Sequence, residues 1–290
     1  MSADTKIEWC DATFNPWEGC TKVSPGCAHC YAENRNARWN GGTSLNWGPG
    51  APRRRTSAAN WKLPIKWNTH ASRVQLSQST YTTPHRPRVF CASLADWLDE
   101  AVPVQWLADL LSLIHATPHL DWLLLTKRPQ NFEGRIWRVW NDCGIPAACW
   151  DMVRSWSKGV PPPNVWIGTT VENQDMADTR IPILLHIPAK VRFLSCEPLL
   201  EPVHLGLLEA SSPAQRERLI KMPPPMGGID WVICGGESGP NARQFHSAWA
   251  RSLRDQCAAA AVPFFMKQMG GRSKPFPEIP SDLAIRQFPT

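Results

Sequence analysis

Long hydrophobic runs are missing from this chain of 290 residues, and their absence argues against a membrane protein. None of its apolar stretches approaches the roughly 20 consecutive residues that a membrane-spanning helix needs. The first residues, MSADTKIEWCDATF, are polar and lack the apolar core of a secretory signal peptide. We therefore expect a cytoplasmic protein with no membrane partner.

Two further absences narrow the class of fold and of metal site. The apolar runs share no fixed period, which argues against a solenoid built from repeats. The eight histidines include no spaced pair typical of a mononuclear metal centre. Cysteine, in contrast, is abundant with ten residues, and clustered cysteines in a reducing cytoplasm indicate metal binding or catalysis more often than disulfides.

Positive charge and tryptophan are concentrated in the first third of the chain. Residues 1–90 hold 12 Lys and Arg against 5 Asp and Glu, whereas residues 91–290 hold 19 against 20, so the net charge of +6 comes from the first segment. Six of the 16 tryptophans lie there as well. Basic groups among aromatic rings suit a DNA or RNA partner, and a solvated basic face above packed tryptophans explains them equally well.

From residue 88 onward, short apolar runs alternate with helix-like segments. The runs show little strict alternation of apolar and polar residues, which suits strands buried on both faces of a parallel sheet. Alternation of strands with helices predicts βα units. The strand candidates are RVFCASLADW (88–97), DWLLLTKRP (121–129), VWIGTTVEN (165–173), VRFLSCEP (191–198), DWVICGGESG (230–239) and PFFMKQMGG (263–271).

Helical patterns lie between several of these runs. Residues 103–117 carry apolar side chains at helical spacing, and residues 247–262 open with Ser247 at a capping position. A first strand over residues 13–19 completes six or seven βα units, fewer than the eight of a closed barrel. The sequence therefore predicts an α/β fold, a partial (β/α)6-type TIM-like barrel around a parallel sheet.

We expect one domain over residues 1–290, interrupted by two irregular stretches. Residues 31–87, rich in Asn, Gly, Arg and Pro, would form a long basic insertion after the first βα turn, in which RRRTSAANWKLPIKWN is an ordered loop or a small lid. Residues 201–229 would form a surface excursion with a short helix.

Polar side chains stand at the predicted carboxyl ends of the strands, the edge where barrel enzymes gather their working residues. A purely structural sheet has little use for so many polar groups at one edge, although some of them will be helix caps. The side chains are Ser93, Asp96, Thr126, Lys127, Arg128, Thr169, Glu172, Ser195, Glu197, Glu237, Ser238, Lys267 and Gln268.

The segment GCTKVSPGCAHCYAEN contains three closely spaced cysteines, Cys20, Cys27 and Cys30, and no fourth follows at the interval usual for zinc. A structural zinc site needs four ligands, so His29 or a distant cysteine such as Cys10 would have to complete it. An iron-sulfur cluster held by three cysteines instead leaves one iron without a protein ligand, free to bind a substrate or cosubstrate. Both metal sites remain open on these residues alone.

The three cysteines after a first strand, Tyr31 beside the last of them and the partial barrel that follows resemble the radical S-adenosylmethionine enzymes. The resemblance implies that the cysteines hold a 4Fe-4S cluster whose open iron binds S-adenosylmethionine. In that superfamily an electron cleaves S-adenosylmethionine, and the 5′-deoxyadenosyl radical abstracts hydrogen from the substrate. The resemblance also implies an electron donor such as flavodoxin or ferredoxin.

The sequence departs from that superfamily at defined places. The spacing is C-x6-C-x2-C where C-x3-C-x2-C is usual, and His29 stands where an aromatic residue is common. The superfamily's Gly-Gly-Glu motif occurs here only as Gly235, Gly236 and Glu237, four strands later than usual.

A narrower resemblance covers residues 7–271. It is to a phage- and prophage-encoded family of unknown function with this three-cysteine motif, which places the protein in a bacterial or phage-infected host cell. The matching segments are NPWEGCTKVSPGCAHCYAE, LLLTKRP, IGTTVEN, SCEPLLEP, GGESGP and FMKQMGG.

Two residues are candidates for a direct part in the chemistry. Lys127 ends a strand beside Arg128, where it would face the barrel mouth and hold a carboxylate or phosphate, with a solvated pair as the alternative. Cys196 ends another strand and would donate a hydrogen atom to a substrate radical, with an inert buried thiol as the alternative. The resemblance implies cofactor-binding roles for Tyr31, Glu172, Glu197, Gly235, Gly236, Glu237 and Lys267.

Taken together, the residues and the resemblance predict an iron-sulfur enzyme that uses S-adenosylmethionine for radical hydrogen abstraction. The expected substrate is a nucleic acid or nucleotide that the enzyme modifies or repairs. The alternative is a non-catalytic, zinc-binding phage accessory protein or nucleic-acid-binding protein that uses the same three cysteines.

Overall fold

A seven-stranded, fully parallel sheet, curled into a half-barrel, forms the centre of the protein. The computed structural model describes residues 5–77, 85–207, 228–273 and 275–290. The sheet order is β1-β4-β5-β6-β7-β8-β9, while β2 and β3 pair antiparallel beside it. The strands are β1 Ala12–Phe14, β2 Trp17–Glu18, β3 Arg54–Arg55, β4 Arg88–Cys91, β5 Asp121–Thr126, β6 Val165–Thr170, β7 Val191–Cys196, β8 Trp231–Gly235 and β9 Phe264–Gln268.

Among the described residues, helices lie in the crossovers of every neighbouring strand pair except β7 and β8. From β4 onward each described strand pairs with the next one along the chain. Within the described segments, no helix combines the length and apolar character needed to cross a membrane. The helices are α1 Tyr31–Trp39, α2 Ala58–Trp61, α3 Leu63–Ser77, α4 Val104–His115, α5 Phe132–Asp142, α6 Ala147–Ser157, α7 Gln174–Leu185 and α8 Ser247–Ala259.

The predicted parallel sheet and partial barrel are confirmed, and strands occur in all seven predicted runs. The first run differs from the prediction, because the chain leaves the large sheet after Phe14 and the next strand pairs with β3 instead. Pro16 lies at this break, and proline has no N–H to donate to a strand ladder. The second run is also shorter than expected, since β4 ends at Cys91.

The first of the two irregular stretches contains regular secondary structure. The 31–87 insertion contains α1, β3, α2 and α3, and Trp67 and Ala71 of α3 are buried in the main core. RRRTSAANWKLPIKWN, predicted as an ordered loop or small lid, contains β3, α2 and the start of α3. In the 201–229 stretch, Val203 and Leu205 are buried in the core, and residues 208–227 lie outside the described residues.

Both faces of the sheet are buried, which explains the unbroken apolar runs. Alternate residues such as Leu124, Ile167 and Leu194 pack against the helices. The intervening residues form a second cluster on the concave face, filled by large aromatic rings. This concave cluster contains Trp9, Cys10, Phe90, Leu123, Trp166, Val191, Phe193, Trp231, Ile233 and Phe265.

Segments near the two ends of the chain complete the concave cluster. The rings of Trp9 and Phe90 have centroids 4.5 Å apart, and Phe288 lies 5.4 Å from Trp231. The residues before Phe288 also cover the outer edge of β9, where the Met266 N–H donates to the Ile285 carbonyl at 2.9 Å. Because aromatic rings fill the lower part of the half-barrel, space for a ligand is left at its carboxyl end.

Gly168 is the point where this packing tolerates no side chain. A Cβ there would overlap the ring of Phe193 on the neighbouring strand. We expect Gly168→Ala to lower the free energy of unfolding by about 2–3 kcal/mol, the usual scale of core overpacking.

Gly134 in α5 is the matched control, because a Cβ there meets open space. Gly134→Ala should raise stability by up to about 1 kcal/mol, since alanine favours the helix. Thermal unfolding of both variants beside the wild type checks the pair. Equal melting temperatures for the two variants would contradict the packing described.

Candidate functional site

A cavity of about 620 Å³ opens at the carboxyl ends of the strands. This volume falls in the range of small-molecule and cofactor sites, and the position matches that of active sites in barrel folds. The ends of β4 to β9 form one side of the cavity, and the loop over residues 20–30, here called the cysteine loop, forms the other. The site predicted at the strand ends therefore coincides with a real concavity.

All three cysteines of the motif line this cavity, and each is half-buried. Cys20 follows β2, Cys27 ends a short 3-10 turn, and Cys30 immediately precedes α1. The three thiols are free. Cys10, considered above as a fourth ligand, is buried and does not line the cavity. No other cysteine of the described residues does either.

Cys20 sits against a buried ion pair. Arg128 approaches its Sγ at 3.5 Å, donates to the Thr21 carbonyl at 2.6 Å and pairs with Asp96 at 3.0 Å. Burial raises the pKa of the Cys20 thiol to about 11, and Asp96 adds to the rise while Arg128 opposes it. Arg128 thus lines the cavity and also holds the cysteine loop through the Thr21 carbonyl.

Asp96 joins the ends of two neighbouring strands. Its carboxylate accepts hydrogen bonds from the Thr126 hydroxyl at 2.7 Å, the Lys127 N–H at 2.8 Å and the Leu98 N–H at 3.0 Å. Every one of these donors is well placed, so Asp96 orients Arg128 and the chain after β5. It is a buried positioning residue in the cavity wall.

Glu172 was predicted to bind a cofactor, and its surroundings give it a different task. The side chain is fully buried and does not line the cavity. One carboxylate oxygen accepts from the Ser24 hydroxyl and from the Gly26 N–H at 3.1 Å, and the other pairs with Arg180 at 2.8 Å. A Cβ on Gly26 would lie 2.9 Å from this carboxylate. Glu172 is therefore a clamp on the cysteine loop.

Glu237 makes a second clamp from the end of β8. Its carboxylate accepts from Arg243 Nε at 2.9 Å and lies 3.0 Å from His29 Nδ1, while Arg243 donates to the Pro25 carbonyl at 3.0 Å. Burial alone would raise the pKa of Glu237, but the hydrogen bonds from Arg243 and His29 outweigh it and lower the pKa to about 2. Glu237 lines the cavity with its oxygens already engaged.

The two neighbouring glycines permit a close approach between strand ends. Gly235 ends β8 and does not line the cavity, whereas Gly236 does. A Cβ on Gly236 would overlap the Met269 carbonyl, and its own N–H donates to the Gln268 carbonyl at 3.0 Å. Backbone packing alone therefore requires a glycine at position 236, without any role in cofactor binding.

The remaining predicted cavity residues are brought together. Glu197 and Lys267 form an ion pair, and both line the cavity. Lys127 lines it too and forms no ion pair with any described residue. Tyr31 lines the mouth, where its hydroxyl donates to the Ser93 carbonyl at 2.5 Å.

Cys196 lies apart from this group. It is fully buried in the core between sheet and helices, opposite Cys234 in the register of β7 and β8. Burial raises the pKa of its thiol well above the ordinary value, and the nearby Cys234 and Cys257 raise it further. Since Cys196 does not line the cavity, the predicted hydrogen donation to a ligand there has no support, and an inert core thiol fits its place.

Two polar atoms in the cavity were missed from the sequence. The Thr170 hydroxyl and the Trp9 indole N–H are buried, and neither has a hydrogen-bond partner among the described residues. Both residues line the cavity. Leaving such groups unpaired costs about 1–3 kcal/mol each, and both atoms lie beneath the surface of the cavity wall. Thr170 ends a strand and could have been named, but no sequence signal marks Trp9.

The three cysteines are the donors on which either metal group, a zinc ion or an iron-sulfur cluster, would depend. A zinc ion needs four donors that converge on one point. In the part of the chain that the structure describes, no group of three or more His, Cys, Asp and Glu side chains has a metal-binding arrangement. The three thiols nevertheless line one cavity, which leaves room for a ligand beside them.

Comparison with known proteins yields one match. The model of the family DUF5131, described as a protein of unknown function, matches residues 4–280. No curated protein and no solved structure matches the chain.

The pKa of Glu237 makes the second clamp sensitive to acid. Because its pKa of about 2 in the folded protein lies below the ordinary 4.5, the folded state binds this proton less readily than the unfolded state. The clamp is complete above pH 4.5 and is lost as the pH falls towards 2. We expect Glu237→Gln to cost about 2–3 kcal/mol at pH 7 and progressively less below pH 4.5.

Urea unfolding of wild type and Glu237→Gln at pH 7, 5, 4 and 3.5 measures that difference. Glu8→Gln is the control, because Glu8 forms an exposed pair with Arg286 that contributes little. A stability difference that stays constant down to pH 3.5 would contradict the clamp.

Proposed function

This chain belongs to the family DUF5131, and because the family's description assigns no function, we propose one from the site: an iron-sulfur enzyme of the radical S-adenosylmethionine type. Its half-barrel would then be a partial (β/α)6-type barrel. The observation that carries the proposal is the cavity wall itself. Three cysteines from one loop line it, and the described residues provide no fourth.

Three cysteine ligands leave one iron of a 4Fe-4S cluster open to the cavity. Cys20, Cys27 and Cys30 would hold the cluster, which supplies reductive cleavage of S-adenosylmethionine for hydrogen abstraction when it is bound. A flavodoxin- or ferredoxin-type protein would deliver the electron. The protein's own contribution is binding, orientation and exclusion of water.

The residues around the cysteines are suited to those tasks. Glu172 and Glu237 hold the cysteine loop over the half-barrel, and the Arg128 guanidinium lies beside Cys20 Sγ, where hydrogen bonding to sulfur tunes a cluster. The aromatic rings below, including Trp9 and Phe90, keep water from the cavity floor.

Charged groups in the cavity suit a polar cosubstrate. Glu197 and Lys267 offer one acidic and one basic group, which complement the ammonium and carboxylate of an amino acid such as S-adenosylmethionine. Lys127 adds a cation without an ion-pair partner among the described residues, suited to a carboxylate or phosphate. We assign Lys127 to substrate or cosubstrate binding.

The substrate that fits best is a nucleotide or one nucleotide of a nucleic acid, modified or repaired by hydrogen abstraction. A cavity of about 620 Å³ that also holds a cosubstrate has space for a group of base size but not for a duplex. The excess of 12 basic over 5 acidic residues in residues 1–90, the segment that carries the cysteine loop, favours a phosphate-bearing partner.

Anaerobic reconstitution with iron and sulfide tests the function. We expect about four irons and four sulfides per chain with broad charge-transfer absorbance, and release of 5′-deoxyadenosine from S-adenosylmethionine on reduction. Cys20→Ala, Cys27→Ala and Cys30→Ala should each lose most of the iron and all 5′-deoxyadenosine formation.

Cys143→Ala is the matched control, because Cys143 is also half-buried but does not line the cavity. It should load iron like the wild type. A colourless protein that carries stoichiometric zinc after anaerobic preparation would overturn the proposal and favour the zinc-binding alternative.

A further inference from the structure

The outer face of α1 carries an exposed row of aromatic, basic and amide side chains. Tyr31, Asn34, Arg35, Arg38 and Trp39 are all exposed, here called the α1 stripe, while Ala32 and Asn36 are buried on the other side of the helix. The spacing i, i+3, i+4, i+7, i+8 places these five on one helical face. The stripe was not among the predicted site residues, apart from Tyr31.

The stripe begins at the candidate site. Cys30 immediately precedes α1, and Tyr31 lines the cavity mouth. Over nine residues the helix extends about 12 Å away from that point. A ligand lying on the stripe would therefore lead into the cavity.

Trp39 at the far end has no packing role that explains it. Its side chain is 76% exposed, the largest value among the large hydrophobic residues that the structure describes. Single exposed hydrophobic residues are common and need no explanation. Trp39, however, lies next to Arg38 and one turn after Arg35, which is the combination that stacks bases and contacts phosphates.

Positive charge on this face exceeds what its own carboxylates neutralise. Arg35 and Arg54 both contact Glu18, at 3.1 and 2.6 Å, and Glu18 is buried beneath them. Half or more of each of these two arginine side chains remains exposed. Arg38 forms no ion pair with any described residue, so three guanidinium groups face solvent above one buried carboxylate.

We propose that the α1 stripe, together with Arg54, binds single-stranded nucleic acid and leads one nucleotide into the cavity. Trp39 and Tyr31 offer ring faces to bases, and Arg35, Arg38 and Arg54 contact phosphates. At about 3.4 Å per nucleotide, a 12 Å stripe covers about four nucleotides. Delivery into the cavity rests on the proposed function, whereas binding to the stripe does not.

Single strands fit this surface better than duplexes. Stacking on an exposed indole requires a free base face, which a duplex hides within its own stack. The stripe contains only one amide, Asn34, and so has little capacity to read base edges. Binding should therefore be tolerant of sequence and weakened by salt.

Fluorescence anisotropy with the full-length protein tests the proposal. The probes are a labelled 12-nucleotide DNA of mixed sequence, the same sequence as RNA, and the DNA duplex, each at 50 and 200 mM salt. The variant is Arg38→Ala with Trp39→Ala. The matched control is Trp137→Ala with Arg138→Ala on α5, another exposed Trp and Arg pair that does not line the cavity.

We expect the α1 double variant to bind the single strands at least tenfold more weakly, and the α5 double variant to stay within twofold of wild type. Trp39→Ala alone should weaken single-strand binding more than duplex binding. Arg38→Ala alone should reduce the slope of log affinity against log salt by about 1. Tighter binding of RNA than DNA, or the reverse, would identify the natural strand.

Three outcomes would overturn the proposal: no single-strand binding by the wild type at 50 mM salt, equal losses in the two double variants, or preference for the duplex. The first of these would leave the stripe as a protein-binding surface. Because the assay needs no cluster, a protein that loads iron but ignores nucleic acid overturns only this inference. One that binds through the stripe but loads no iron overturns only the proposed enzyme.

Discussion

Two buried carboxylates, each paired with an arginine, hold the cysteine loop, and the arrangement of the candidate site depends on them. Glu172 with Arg180 and Glu237 with Arg243 extend from the ends of β6 and β8 to the backbone of residues 24–29. A charged carboxylate accepting several hydrogen bonds is a strong and directional anchor. The loop itself has few apolar residues, so without these anchors nothing in its composition would fix the three thiols above the sheet.

The aromatic filling of the concave face determines where a ligand can lie. A closed eight-stranded barrel fills its interior with side chains from every strand. This half-barrel uses rings from its strands together with Trp9 and Phe288 from segments near the chain ends. Polar residues replace the rings only at the carboxyl edge, where Thr170, Ser195 and Lys267 line the cavity. The residues that stabilise the fold and the residues that line the cavity thus lie in successive layers along the same strands.

The sequence was sufficient for the strands, the cavity edge and the three cysteines, but not for the direction of each strand-end side chain. Ser195 faces the cavity and Cys196, one residue later, faces the helices. A strand's side chains alternate between faces, and because both faces here are apolar the sequence does not show which one is concave. The roles of Glu172 and Glu237 were likewise hidden, since their partners lie about 146 and 208 residues away in the chain. Hydrogen bonds to a loop so distant in the chain leave no local pattern.

The contact between Gly26 and Glu172 has a thermodynamic consequence. With no room for even a methyl group between loop and carboxylate, the loop cannot shift without disturbing the buried Arg180 pair at the end of β6. A group that binds the three thiols more tightly in the folded half-barrel than in the unfolded chain therefore adds that difference in binding free energy to the stability of the sheet. A chelator or an oxidant that acts on the loop would then behave as a mild denaturant of strands it never touches.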